Sequence, residues 1–213
     1  MKESKSKLIG IFGGTFDPVH KGHTEIIKNL FELIPFDEVI VIPNGLPPHK
    51  EVSVSSEKRL RMVSIAFKGI DKVKIDEREI RKEGPSYAIS TLKELSKEFT
   101  GDSLVWIMGS DAFTGIDSWH QWEEFVNMVN IIVMIRPNYG IKSGGKAFDL
   151  LSKKHTTNKE SLNSGAGKIY LIRIRPIEIS STEVRRKISR GEDVSKYLLE
   201  EVSENINKGN LYR

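Results

Sequence analysis

The chain has 213 residues, 38% of them hydrophobic and 29% charged, with a formal net charge of +4 at pH 7, a size and balance that suit one globular domain with a sizeable core. The absence of cysteine excludes disulfides, thiolate metal sites and a cysteine nucleophile, and no apolar run reaches the roughly 18 residues that a membrane-spanning helix needs. The isoelectric point of about 9.1 invites a nucleic-acid reading, but acids interrupt the bases throughout, as at Glu77-Arg78-Glu79 and Glu200-Glu201, so the surface reads as mixed and solvated. The first residues are polar and lack the apolar stretch of a secretion signal. A cytoplasmic location is the expectation, with residues 1–6 as a disordered tail.

The apolar run at 7–12 reads as a buried parallel strand, and Ile26, Ile27, Leu30, Phe31 and Ile34 mark one face of a following helix. Between them lies Gly13-Gly14-Thr15-Phe16-Asp17-Pro18-Val19-His20-Lys21-Gly22-His23, a strand-to-helix corner. Adjacent glycines let the backbone approach a ligand, and a helix opening near Gly22 points free N–H groups and partial positive charge into the same space. His20 and His23 are three residues apart and can share one side of a first turn, where imidazoles donate to phosphate oxygens and take up charge as negative charge develops. The corner points to phosphate chemistry.

A second β-branched run at 38–42 completes a strand, helix, strand unit, which implies parallel pairing, a right-handed crossover and ligand binding beyond the carboxyl ends of the strands. The loop after it, 43–50, is stiffened by Pro43, Pro47 and Pro48 and ends in His49 and Lys50. Residues 56–68 read as a helix capped by Ser56, with Leu60, Val63 and Phe67 on one face and Arg59 turned either to the ligand edge or to solvent. A short strand at 73–76 and a charged connection at 78–83 lead to Gly84-Pro85-Ser86-Tyr87-Ala88, which starts a helix carrying Ile89, Leu92, Leu95 and Phe99.

The strand expected at 103–108 runs into Gly109-Ser110-Asp111-Ala112-Phe113. A carboxylate there is placed to accept from a ribose, and Ser110 or Asp111 also suits a helix cap. Trp119 and Trp122, three apart, fit one helix face. Residues 130–135 form another apolar strand, with Arg136 at its carboxyl end, where phosphates would lie. Residues 138–167 are rich in Gly, Ser, Lys and Asn and read as a variable, mobile insertion with only a short helix at 147–151, after which a strand at 168–174 resumes the sheet. Ser180 and Glu183 fit a capping box, with Val184 and Ile188 facing inward. Ser181, Thr182 and Arg185 add hydroxyls and a cation to that helix start, a second anion site. An amphipathic helix over 197–212, ending near Gly209, completes a helical part spanning 181–213.

The stretch from Gly13 to His23 resembles the signature of the nucleotidyltransferase superfamily marked by a His-x-Gly-His motif, and specifically of the bacterial nicotinate-nucleotide adenylyltransferase family. The segments Pro47-Pro48-His49-Lys50, Gly84 to Ala88, Gly109 to Phe113 and Ile179 to Arg185 resemble further family elements in the same order. The resemblance implies one domain over residues 1–213, an α/β doubly wound, Rossmann-like, mainly parallel sheet with helices on both faces and a C-terminal helical extension. It implies transfer of AMP from ATP to nicotinate mononucleotide, with Mg²⁺ held mainly by phosphates and His20 and His23 as catalytic groups. ATP would be bound by Gly13, Gly14, Thr15, Phe16, His20, His23, Asp111, Ser181, Thr182 and Arg185. The mononucleotide would be bound by Asn44, His49, Lys50, Arg59, Tyr87, Ala88, Trp119, His120 and Arg136, with Trp119 stacking on the pyridine ring and Trp122 left to the core. Where the family carries threonine this chain has Ala88, which keeps a backbone donor for the nicotinate carboxylate and loses a hydroxyl. Partners would be small molecules, with no nucleic acid or membrane and room for a homo-oligomer. The alternatives are a sister adenylyltransferase acting on nicotinamide mononucleotide or phosphopantetheine, a nucleotide-binding regulatory module without turnover, and an RNA-binding domain akin to class I tRNA synthetases. The last lacks its Lys-Met-Ser-Lys-Ser loop here.

Overall fold

The computed structural model describes residues 6–48, 51–135, 144–174 and 179–213. His49, Lys50 and Arg136, expected to bind the mononucleotide, lie outside the described residues. In chain order the elements are β1 (Leu8–Gly14), α1 (Lys21–Leu33), β2 (Glu38–Pro43), α2 (Ser56–Phe67), β3 (Val73–Ile75), α3 (Arg78–Arg81), α4 (Ala88–Glu98), β4 (Ser103–Gly109) and α5 (Ser110–Thr114). They continue with a 3-10 turn (Ile116–Ser118), α6 (Trp122–Met128), β5 (Asn130–Ile135), α7 (Lys146–Lys154), β6 (His155–Thr156), a second 3-10 turn (Lys159–Asn163), β7 (Ile169–Arg173), α8 (Ser181–Ser189) and α9 (Glu200–Lys208).

The strands form one sheet in the order β3-β2-β1-β4-β5-β7-β6. β4 runs parallel to β1 and β5, and β7 runs parallel to β5 and β6. This is the Rossmann-like α/β fold expected. Its inner strands β4 and β5 are near-continuous apolar runs, as strands covered on both faces require: Val105 to Met108 and Ile131 to Met134 are all buried. The order reverses on leaving β1, and in open α/β sheets ligand chemistry gathers in loops at the carboxyl ends of strands beside such a point.

The chain groups into two compact units. The first comprises Met1–Phe12, Leu33–Ile40 and Tyr87–Arg175. Within it Gly10 is closely packed: a Cβ there would meet Ile107 Cδ1 at 2.9 Å and Val39 Cγ2 at 3.1 Å, and those side chains would have to shift. Asn130, buried at the start of β5, donates to the carbonyls of Leu162 (3.0 Å) and Gly165 (2.8 Å) and accepts from the Lys168 amide (3.0 Å). These bonds and the pairing of β6 with β7 make residues 144–167 part of the sheet layer, with a nine-residue helix and an edge strand. The expectation of an insertion with little structure is corrected for those residues; their polar composition reflects an edge position and a side-chain clamp that composition does not reveal.

The second unit comprises Gly13–Glu32, Val41–Ser86 and Pro176–Arg213. Here α2 packs on α9, with Met62, Val63, Ala66 and Phe67 buried on one helix and Val202 and Ile206 on the other. Ser55 is the N-cap of α2 and its side chain makes no capping bond. Ser56 is therefore the first helical residue, not the cap, and its hydroxyl instead bonds Glu57. The expected connection at 78–83 contains the short helix α3, in which Arg81 pairs with Glu77. In the first unit, Trp119 and Trp122 do not share a helix. Trp119 closes the first 3-10 turn and Trp122 opens α6, because Gln121 between them takes a left-handed conformation (φ 51°). Trp122 is half-buried, and the buried core tryptophan is Trp106.

Candidate active site

The corner after β1 is built on a buried ring. Phe16 adopts a left-handed conformation (φ 50°) that folds its side chain beneath Gly14, where a Cβ would lie 2.9 Å from the ring. Phe16 is 2% exposed and meets His23 edge-on, with centroids 5.0 Å apart, and Phe67 at 6.5 Å. Its side chain is thus a support for His23. His20 immediately precedes α1 and His23 lies in its first turn. Their rings are 3.8 Å apart with a 31° tilt. The His20 amide donates to His23 Nδ1 (3.1 Å), and the His23 amide donates to the His20 carbonyl (2.8 Å). A neutral His23 that accepts at Nδ1 carries its proton on Nε2 and can donate there.

Arg59 is wholly buried and lies on the inner face of α2. Its Nη1 donates to the carbonyls of Thr15 (2.8 Å) and Asn44 (2.6 Å), and its Nη2 donates to that of Gly45 (2.7 Å). Burial lowers its pKa from the usual arginine range, and the nearby Asp17 carboxylate opposes that shift. The expectation of a mononucleotide ligand or a solvent-facing side chain is corrected: a guanidinium with no exposed surface and three carbonyl partners positions the loops after β1 and β2. The second loop is tied further. The Asn44 amide donates to the Gly14 carbonyl (2.9 Å), Asn44 Nδ2 donates to Glu79 (2.8 Å), and the Gly45 amide donates to Ser86 Oγ (3.0 Å). A Cβ on Gly45 would fall 2.1 Å from the Glu79 carbonyl oxygen.

α8 brings Ser181, Thr182 and Arg185 to the same corner. Ser180 is its N-cap and accepts from the Glu183 amide, as expected. The Glu183 side chain, which a full capping box would turn back, pairs with Arg186 instead. Ser181 Oγ donates to the Pro18 carbonyl (2.9 Å), and Arg185 Nη1 donates to the Asp17 carbonyl (2.6 Å). Thr182 is exposed beside Arg185. Gly13, Gly14, Thr15, His20, His23, Asn44, Ser181, Thr182 and Arg185 are therefore gathered in the second unit on two helix starts and the two loops after β1 and β2. Sequence reasoning missed Asp17, Ser53, Glu79 and Tyr212 in this network. Asp17 was visible inside the motif, and nothing in the sequence marked Tyr212.

The remaining candidates lie in the first unit. Tyr87 is the N-cap of α4, and its ring stacks on His120 with centroids 4.5 Å apart. Ala88 begins α4, where the Ser90 and Thr91 amides donate to the Tyr87 carbonyl and no side chain caps the helix. Trp119 is half-buried against Phe125 (5.5 Å). Asp111 sits exposed in the first turn of α5. It does not cap that helix: Gly109 is the N-cap and no side chain bonds it. A Cβ on Gly109 would lie 2.4 Å from Asp111 Oδ1, so the glycine makes room for the carboxylate. Among the described residues no group of three or more His, Asp and Glu side chains could hold a metal ion.

The chain matches the family model described as cytidylyltransferase-like over residues 11–187. It is 34% identical over 214 residues to a protein of Pseudomonas putida strain GB-1 named as a probable nicotinate-nucleotide adenylyltransferase, spanning 100% of this chain and 98% of that protein. A protein of the same name from Pseudomonas aeruginosa strain UCBPP-PA14 is 35% identical over 209 residues, spanning 97% and 98%. Among solved structures, the nicotinic acid mononucleotide adenylyltransferase of Plasmodium falciparum complexed with NaAD matches with a TM-score of 0.74 at 24% identity over 97% of each chain, a likeness of fold. The glycine-rich corner with its paired histidines, the Rossmann-like sheet and these full-length matches agree, and the chain belongs to the cytidylyltransferase-like family, among its nicotinate-nucleotide adenylyltransferases.

Proposed function

We propose that the protein transfers AMP from ATP to nicotinate mononucleotide, giving deamido-NAD and pyrophosphate in NAD biosynthesis. A phosphate oxygen of the mononucleotide attacks the α-phosphorus in line, and the bond from that phosphorus to the bridging oxygen of pyrophosphate breaks. The nucleophile is already an anion near neutral pH, so neither a general base nor a covalent enzyme intermediate is needed, and catalysis is alignment plus charge stabilisation. The single observation that carries this reading is the stacked pair of His20 and His23 at the opening of α1, with His23 Nδ1 held by the His20 amide. That bond aims Nε2 as a donor for charge developing on the α-phosphate.

Thr182 and Arg185, at the start of α8, serve the other phosphates of ATP, with Ser181 holding the loop at Pro18. Asp111 accepts from the ribose. Trp119 supplies a π-face for the pyridine ring, an interaction worth about 1–3 kcal/mol by analogy with base stacking, and the amide of Ala88 meets the carboxylate. Mg²⁺ would enter with ATP, held mainly by its phosphates, and would neutralise part of their charge. Ala88, by lacking a hydroxyl, favours a second reading in which nicotinamide mononucleotide is also accepted. Incubation of the purified protein with ATP, Mg²⁺ and either pyridine mononucleotide, with identification of the dinucleotide, tests both. Deamido-NAD as the main product is the expected result, and pyrophosphate release without either dinucleotide would refute the assignment.

A further inference from the structure

Asp17 lies within the motif after β1, yet it is 3% exposed and cannot face a substrate freely. Both of its carboxylate oxygens are occupied. Oδ1 accepts from the Tyr212 hydroxyl (2.8 Å), and Oδ2 accepts from the Ser53 amide (2.7 Å). Arg185 Nη1 stands 3.8 Å from Oδ2, within ion-pair reach but beyond a hydrogen bond, because it donates to the Asp17 backbone carbonyl. Arg185 therefore stays partly exposed and, with Thr182, Ser53 and Tyr212, lines an open cavity of about 290 Å³.

Tyr212 is delivered to Asp17 by an uncommon piece of backbone. After α9 ends at Gly209, Leu211 is buried and its amide donates to the Ile206 carbonyl (3.0 Å). Asn210 and Tyr212 on either side both take left-handed conformations (φ 47° and 64°). A bulky side chain seldom adopts that region, and strain of this kind persists where the surrounding structure enforces it, often beside functional sites.

We propose that Tyr212 is a positioning residue for Arg185: by occupying Asp17 Oδ1 it keeps the buried carboxylate from drawing the guanidinium away from the phosphates of ATP. The proposal rests on the assignment of Arg185 to those phosphates. A buried carboxylate that loses a donor seeks another, and Arg185, already within ion-pair reach, is able to turn toward it, whereas Arg59 is committed to three carbonyls.

Steady-state kinetics of Tyr212→Phe, Arg185→Ala and the double variant test this. Phenylalanine keeps the ring and removes only the hydroxyl. In Tyr212→Phe, KM for ATP is expected to rise about five- to tenfold, the worth of one hydrogen bond, while KM for the mononucleotide at saturating ATP changes less than about twofold. In the Arg185→Ala background the same change is expected to have almost no further effect on KM for ATP, since the residue it positions is gone. Arg185→Ala with an unaltered KM for ATP would overturn the phosphate assignment and the proposal with it. If Arg185→Ala weakens ATP binding but Tyr212→Phe has no effect, raises KM for both substrates alike, or acts equally in both backgrounds, the proposal alone is overturned.

Discussion

At the scale of single residues, the proposed chemistry would depend on donors aimed before substrate arrives. His23 is held from three sides, by the His20 amide at Nδ1, by the edge of Phe16 and by the stacked His20 ring. Replacement of His23 by alanine is expected to lower kcat by roughly 10²–10³, the usual consequence of losing one preorganised donor, while ATP binding measured by calorimetry persists. Unchanged turnover would remove His23 from the chemistry. For Trp119→Ala a large rise in KM for the mononucleotide and little change for ATP are expected. Equal effects on both would make Trp119 a structural neighbour of Phe125 and nothing more. The motif histidines were legible because spacing alone placed them at a helix start. The support from Phe16 was not, since a left-handed conformation at a phenylalanine leaves no mark in a one-dimensional pattern.

At the scale of elements, two loops owe their shapes to one inward arginine. The apolar spacing of α2 predicted a face through Leu60, Val63 and Phe67; Val63 and Phe67 are buried, but Leu60 is half-buried and the buried face also runs through Arg59, Met62 and Ala66. A charge placed on that face reads as solvent-directed in sequence and is tolerated only because three carbonyls converge on it. Arg59→Ala, which strands those carbonyls, is expected to cost about 3–5 kcal/mol in chemical denaturation. Lysine should not restore the loss, because an ammonium lacks the planar fork that spans two loops. A midpoint shift below about 1 kcal/mol would show that the carbonyls find water instead. Gly45, against the Glu79 carbonyl, marks the same constraint from the other side. The capping serine of α8 was readable from its local pattern, whereas the edge strand β6 was hidden because its partner β7 lies beyond an intervening polar stretch.

For the whole molecule, Tyr212 joins residues far apart in the chain, and its ionisation should report on folding. Burial pushes its phenol well above the usual tyrosine range, and the hydrogen bond to Asp17 adds to that. The folded state thus favours the neutral phenol. Its contribution to stability is complete below the ordinary tyrosine pKa of about 10 and is lost as pH rises above it, since the unfolded chain ionises first. Melting temperatures recorded between about pH 9 and 11 should fall more steeply for the wild type than for Tyr212→Phe, and parallel curves would disprove the coupling. By itself the sequence determined the alternation of strands and helices, the glycine-rich corner with its paired histidines after β1, the cap of α8 and the family, because each is written in neighbouring residues with fixed periods. Only the tertiary structure decided that Arg59 turns inward, that Asn130 draws residues 144–167 into the sheet layer, and that Asp17 is shared by Tyr212, Ser53 and Arg185. Those pairings join groups tens to nearly two hundred positions apart, and their energy comes from excluding water around polar atoms, a condition that exists only once the chain has folded.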